Sequence, residues 1–166
     1  MRSSEIQRLL PGVFQRTTAG GTPLAAALEV MSALHAPSEA VLRDLDRYFD
    51  PRRTAERFVP LLAGWMDLEV AQAAPPGRLR ELTAAAFGLS QRRGTARGLI
   101  RFLEIATGAT GFQVDERVPG ADGMPRPFHV RITVPAAAAD RRDFLVRIIE
   151  REKPAHVTYE LAVQRT

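Results

Sequence analysis

The 166-residue chain has no cysteine, and Lys153 is the single lysine among its 23 basic residues. The lack of cysteine excludes disulfides, thiolate metal sites and thiol redox chemistry, and it suits assembly in a cytosol. Aromatic residues are only 7% of the chain, which leaves few rings for stacking bases. No apolar run approaches the roughly 20 residues of a membrane span. Met1 to Leu10 carries charges where a signal peptide would carry its apolar core. A soluble chain, not exported by a cleaved signal, is therefore expected. No acid, base and nucleophile stand at a recognisable spacing, so neither an enzyme nor a cofactor is expected.

The remaining polar residues read in the same direction. His35, His129 and His156 have no metal-binding spacing, and His156 reads as fixing the turn after Lys153-Pro154. Asp44 and Asp46 lie two apart on a predicted helix and point to different sides, so they cannot act as a carboxylate pair. Gly88 to Thr95 resembles a phosphate loop only superficially: its spacing is one residue too long, the lysine is missing and no strand precedes it.

What is present is a substantial apolar content, 45% of residues, enough for one ordinary domain or two small lobes. The net charge of +4 is unevenly spread: residues 76–110 hold six arginines against Glu81 and Glu104. Such an excess suits a partner with acidic side chains or helix C-termini, with a nucleic-acid patch over 78–101 as the alternative. The preference for arginine over lysine reads as a GC-rich genome.

Apolar residues recur at helical spacing through residue 107. Thr22 and Pro23 open a helix through Leu24, Leu28, Met31 and Leu34 that Pro37 ends or kinks, and Ser38 then caps a second helix as far as Asp50-Pro51. Thr54 caps a third, whose stripe is Phe58, Leu61, Leu62 and Trp65, with Trp65 expected in the core. A fourth helix carries Leu79, Leu82, Ala86 and Leu89. A fifth runs from about Thr95 to Thr107 with Leu99, Phe102, Leu103 and Ala106 inward and Gly108 as its stop. Gly94 permits the turn between the last two, Thr95 caps the fifth helix, and Gly98 lets another backbone approach closely. Arg92, Arg93, Arg97 and Arg101 project around this joint. A leucine at 98 is expected to spare the fold and cost partner binding.

Beyond Gly108 the period changes to two. Phe112, Val114 and Val118, then Phe128, Val130, Ile132 and Val134, mark two strands. Asp140 caps a helix bearing Phe144, Leu145, Ile148 and Ile149, with Asp143 in its first turn, and Val157, Tyr159, Leu161 and Val163 form a last strand. The fold class is α+β: a helical region over 1–108 of about five helices, then a ββαβ lobe over 109–166 with one polar sheet face and an open edge.

Five segments occur in a familiar order: Leu10-Pro11-Gly12-Val13-Phe14; Phe49-Asp50-Pro51; Phe58 to Trp65; Arg92-Arg93-Gly94-Thr95 with Gly98-Leu99; and Lys153-Pro154-Ala155-His156 with Tyr159. Through them the chain, over roughly residues 9–164, resembles the phage tail protein I family of contractile-tailed phages and phage-derived contractile injection systems. The resemblance implies a non-enzymatic baseplate wedge subunit, assembled in the bacterial cytoplasm. It also implies larger wedge proteins and other baseplate or sheath-linked subunits as partners around the central spike. Partner contacts are expected at Arg92, Arg93, Gly94, Thr95, Arg97, Gly98 and Arg101, with Pro51, Trp65, Lys153, Pro154, His156 and Tyr159 as structural motif residues. Many relatives carry long additions after the final strand; their lack here points to an inner-baseplate position rather than a fibre-holding one.

Overall fold

A computed structural model describes residues 3–121 and 123–164 and divides into two compact units, Met1–Tyr48 and Phe49–Thr166. The architecture is α+β, as expected.

The first unit is helical. α1 (Ser3–Leu9) packs on the long α3 (Pro23–Arg43), with the short α2 (Gly12–Gln15) between them in sequence. Thr22 caps α3 as its sequence suggests: its Oγ1 accepts from the Ala25 N–H at 3.3 Å, with Pro23 in the first position. The break expected at Pro37 is absent, and Ser38 lies inside the same helix rather than capping a second one. Pro37 and Ala33 are both exposed, so the Ala33 carbonyl left over by the missing N–H is open to water. The helix stops instead at Asp44, with α4 (Leu45–Phe49) following. Ile6 and Leu28 are the unit's buried hydrophobics among the described residues, whereas Val30, Met31, Leu34, Val41 and Leu42 on α3 are exposed.

The second unit begins with a 3-10 turn (Glu56–Phe58) that runs into α5 (Val59–Trp65), and a second such turn (Glu69–Ala73) precedes α6 (Pro76–Ser90) and α7 (Ala96–Thr107). β1 (Gln113–Asp115), β2 (His129–Val134), α8 (Arg142–Glu152) and β3 (Thr158–Val163) complete it. The sheet order is β1-β2-β3. β1 pairs antiparallel with β2, Val114 opposite Ile132; β2 pairs parallel with β3, Ile132 opposite Leu161, with α8 as the crossover that a parallel pair requires.

One core joins the predicted stripes: Leu79, Leu82, Ala86 and Leu89 of α6, Leu99, Phe102, Leu103 and Ala106 of α7, Ile132 and Val134 of β2, and Leu145, Ile148 and Ile149 of α8. Residue 108 therefore marks a change of secondary structure inside one unit. The opposite sheet face is polar. There the Arg131 guanidinium pairs with Glu160, and the His129 ring bonds the Thr158 hydroxyl at 2.8 Å.

Two expected caps are not formed. Thr54 is buried, its hydroxyl has no partner among the described residues, and Ala55 precedes the first turn. Asp140 falls within a 3-10 turn (Ala136–Arg141) that leads into α8, so only Asp143 sits in that helix's first turn. Helix α5 also turns a different face inward than its sequence suggests. It buries Val59, Leu62 and Ala63, leaving Leu61 and Trp65 exposed; Phe58 belongs to the preceding 3-10 turn, and the helix proper starts at Val59 rather than directly after Thr54.

Leu103 is fully buried between these layers. Leu103→Ala should lower unfolding stability by about 2–5 kcal/mol, read as a reduced denaturation midpoint with an unchanged slope.

Candidate partner-binding site

The turn from α6 to α7 is built by its own backbone chemistry. Gly94 adopts φ 77°, a left-handed conformation that a side chain would strain. Thr95 Oγ1 then accepts from the Gly98 N–H at 3.0 Å, which caps α7. A Cβ at Gly98 would stand 2.1 Å from the Arg92 carbonyl oxygen. The close approach expected at Gly98 is thus real, but the approaching backbone is the chain's own. A leucine there must displace the Arg92 carbonyl, a strain that the expectation from helix propensity leaves out.

The four arginines of the joint divide. Arg93 grips the carboxylate of Glu152 at the end of α8 with two nitrogens, Nη2 to Oε1 at 3.2 Å and Nε to Oε2 at 3.4 Å. Its third nitrogen reaches Asp67 Oδ2 at 3.3 Å, and Asp67 also bonds the Arg151 guanidinium. Glu152 is only 7% exposed, so this fork is what compensates a buried carboxylate. The bond to Glu152, and then its charge, hold the Arg93 guanidinium above its usual pKa. The bond from Arg151 is the largest influence holding Asp67 below the ordinary carboxylate value. Arg101 pairs within its helix to Glu104 at 3.7 Å, while Arg92 and Arg97 point outward with no carboxylate partner among the described residues.

The Lys153 to His156 segment, distant in sequence, meets this joint. The nearest atom to a Cβ placed on Gly94 is Pro154 Cγ at 3.7 Å. Lys153 Nζ pairs with Glu150 Oε2 at 3.4 Å. The His156 ring stands edge-on to Phe128, centroids 5.2 Å apart. Phe128 itself has φ 53°, and its carbonyl accepts from the Thr158 N–H at 2.9 Å. Tyr159 pairs across the sheet with Val130, and burial first, then the Glu150 charge, raises its phenol pKa. A cavity of about 230 Å³ lies between these pieces, walled by Thr95, Leu99, Val114, Val130 and Pro154 with Glu152 at its side.

Residues 18–156 match the family model described as phage tail protein (Tail_P2_I). The chain belongs to this phage tail protein family. No curated protein matches it. In this member of the family, Arg92-Arg93-Gly94-Thr95 and Lys153-Pro154 form one structural joint. Pro51 and Trp65 lie elsewhere: the Pro51 carbonyl accepts from Arg80, whose Nη1 also reaches the Thr54 carbonyl at 2.9 Å, and the Trp65 ring stacks on Phe49 with centroids 5.9 Å apart. Sequence reading missed Asp67, Arg151 and Glu152, which are far apart in the chain and carry no local signal. It also missed Phe87, whose position off the Leu79, Leu82, Ala86, Leu89 stripe was the available clue. No helix among the described residues is long and apolar enough to cross a membrane.

The basic run over 78–101 is largely engaged within the protein. Arg78 pairs with Glu81 at 2.7 Å, Arg80 with two carbonyls, Arg93 with two carboxylates and Arg101 with Glu104. Arg92 and Arg97 remain without a carboxylate partner among the described residues, so the outward charge of the run is smaller than its six arginines suggest.

Two measurements follow. Gly98→Ala should destabilise the chain by at least about 1–3 kcal/mol despite alanine's better helix propensity, because the Arg92 carbonyl must move. Gly88→Ala, where a Cβ meets nothing within 4 Å, should instead add up to about 1 kcal/mol; equal midpoints for the two variants would refute the contact. Asp67 carries a depressed pKa when folded, so its stabilisation is present above the pKa of an unfolded aspartate and is lost as pH falls through the folded value. Asp67→Asn should therefore be less stable than the parent at neutral pH, with the gap closing in acid; denaturant titrations across the carboxylate range read this.

Proposed function

We propose that the chain is a structural, non-enzymatic wedge component of the baseplate of a contractile phage tail or injection particle, binding larger baseplate proteins around the central spike. It is assembled in the bacterial cytoplasm and carried in the particle. The family match supports a tail role. The observation that carries the finer reading is α3, a 21-residue helix that buries Leu28 but leaves Val30, Met31, Leu34, Val41 and Leu42 exposed. Val30, Leu34 and Val41 recur at spacings that keep them on one face, and Met31 and Leu42 repeat the same eleven-residue interval beside them. Such a stripe on a long helix is what bundles with partner helices. Arg92 and Arg97, with Gly94 and Thr95 between and beside them, offer a second contact at the joint, where carboxylates or helix C-termini of a partner would meet outward cations.

Leu34→Glu combined with Val41→Glu tests the stripe. Both residues are exposed, so the isolated chain should keep its helical content, with stability changed by less than about 0.5 kcal/mol per site. The variant should fail to co-purify with the baseplate proteins encoded beside it, and complemented particles should lack assembled wedges. Full incorporation of the double variant would overturn the wedge reading.

A further inference from the structure

The second unit carries an exposed aromatic surface that the joint does not use. Trp65 is 65% exposed, Phe87 is 70% and Phe49 is 51%, with Leu61 and Met66 beside them on and after α5. Phe49 and Trp65 stack at an interplanar angle of 22°, so the rings form a fixed wall rather than separate exposed side chains. That wall, with Phe87, bounds a depression of about 280 Å³ floored by Thr83 and Ala84. A second depression of about 400 Å³, bounded by Arg101 and Ile105 of α7, continues from it; Arg52 and Ala84 line both.

The geometry points to a groove over α6 that docks an amphipathic α-helix of a partner protein, large apolar side chains inserted beside Trp65 and Phe87 and carboxylates flanking them. A helix is the occupant because floor and walls come from helices and their turns, whose main-chain groups bond internally and leave no edge for a strand to join. Ala84 and Ala85 are half-buried small residues, and Gly88, one turn beyond Ala84, opens onto empty space, so a second backbone can come close to α6. The charge of the rim sets the partner's sign. Arg52 has no carboxylate partner in a salt bridge among the described residues and Arg101 holds only an exposed contact to Glu104; of the two carboxylates in the linings, Asp50 accepts the Arg52 backbone N–H at 2.9 Å and Glu81 is neutralised by Arg78 at 2.7 Å, which leaves the balance of the rim basic. Exposed Trp and Phe ringed by Arg is also the composition of residues that dominate binding energy at protein interfaces.

Trp65 is the only tryptophan, so its emission reports on this groove alone. The full chain would be titrated with a helical peptide of about five turns presenting a leucine stripe flanked by glutamates, and with the same peptide carrying lysines for the glutamates. The glutamate peptide should shift Trp65 emission to the blue and bind more tightly than the lysine peptide. Phe87→Ser, checked for unchanged circular dichroism and melting, should weaken it by roughly 10-fold or more. Arg52→Glu with Arg101→Glu should reverse the preference between the two peptides. Equal or tighter binding of the lysine peptide by the parent chain, an emission unmoved by either peptide, or a blue shift produced by protein concentration alone, as a second copy would give, overturns the proposal. Failure here leaves the α3 stripe and its test untouched, because no residue is shared.

Discussion

The fork of Arg93 on Glu152 is the constraint around which the second unit is arranged. Glu152 closes α8 and stands immediately before the Lys153 to His156 segment, while Arg93 stands one residue before the turn at Gly94. The contact therefore fixes the start of α7 relative to the entry of β3, two points 59 residues apart in sequence. A carboxylate at 7% exposure is costly unless it is both paired and hydrogen-bonded. Two guanidinium nitrogens meet both demands at once, and the third nitrogen recruits Asp67 and, through it, Arg151. Loss of Arg93 would leave the buried Glu152 carboxylate without its fork, whereas Asp67 and Arg151 are half exposed and their loss leaves charge that water can solvate.

This also gives the arginine content a structural meaning that composition alone did not. Arg80 spans two carbonyls from one nitrogen, Arg93 spans two carboxylates, and Arg131 links Glu160 across the parallel strand pair. A lysine ammonium has its three N–H groups on one nitrogen, enough for two carbonyls, but it has no planar fork to meet both oxygens of Glu152 while a further nitrogen reaches Asp67. A GC-rich genome can supply arginine codons; at Arg93 the planar fork gives the choice a structural reason. Lys153, the one lysine, needs only a single partner, Glu150.

Legibility followed the range of the interactions. Helices α6 and α7, their inward stripes, the cap at Thr95 and the left-handed glycines at 94 and 108 were readable because each depends on residues within a turn or two. The strands were readable from alternation, although β1 is limited to three residues and Val118 is buried in the loop beyond it. Pro37, Thr54 and Asp140 misled because a local signal was overridden: the Ala33 carbonyl freed by Pro37 sits at an exposed position where water can donate to it, and 3-10 turns occupy the places where Thr54 and Asp140 would have capped. Trp65 misled because α5 buries the Val59, Leu62 and Ala63 face, and the Trp65 ring stacks on Phe49 at the surface instead. At the candidate site, the glycines and the threonine cap were legible, while the Asp67, Arg93, Arg151, Glu152 cluster was not, since nothing in the sequence spacing brings those residues together.

The two units differ in how much of their folding free energy they hold themselves. The second unit buries a continuous core drawn from four helices and the sheet. Within the first, Ile6 and Leu28 are the buried hydrophobics among the described residues, at a length where even well-packed single domains are marginal. Each fully buried leucine or isoleucine contributes about 1.5–3 kcal/mol, so two of them offset little of the entropy of ordering the long α3. On the proposed role the deficit is met on assembly: partner helices that cover Val30, Leu34 and Val41 bind the folded helix and not the unfolded one, and by mass action they stabilise it. Stability of the first unit and incorporation into the particle are then one coupled equilibrium, whereas the second unit enters assembly already folded.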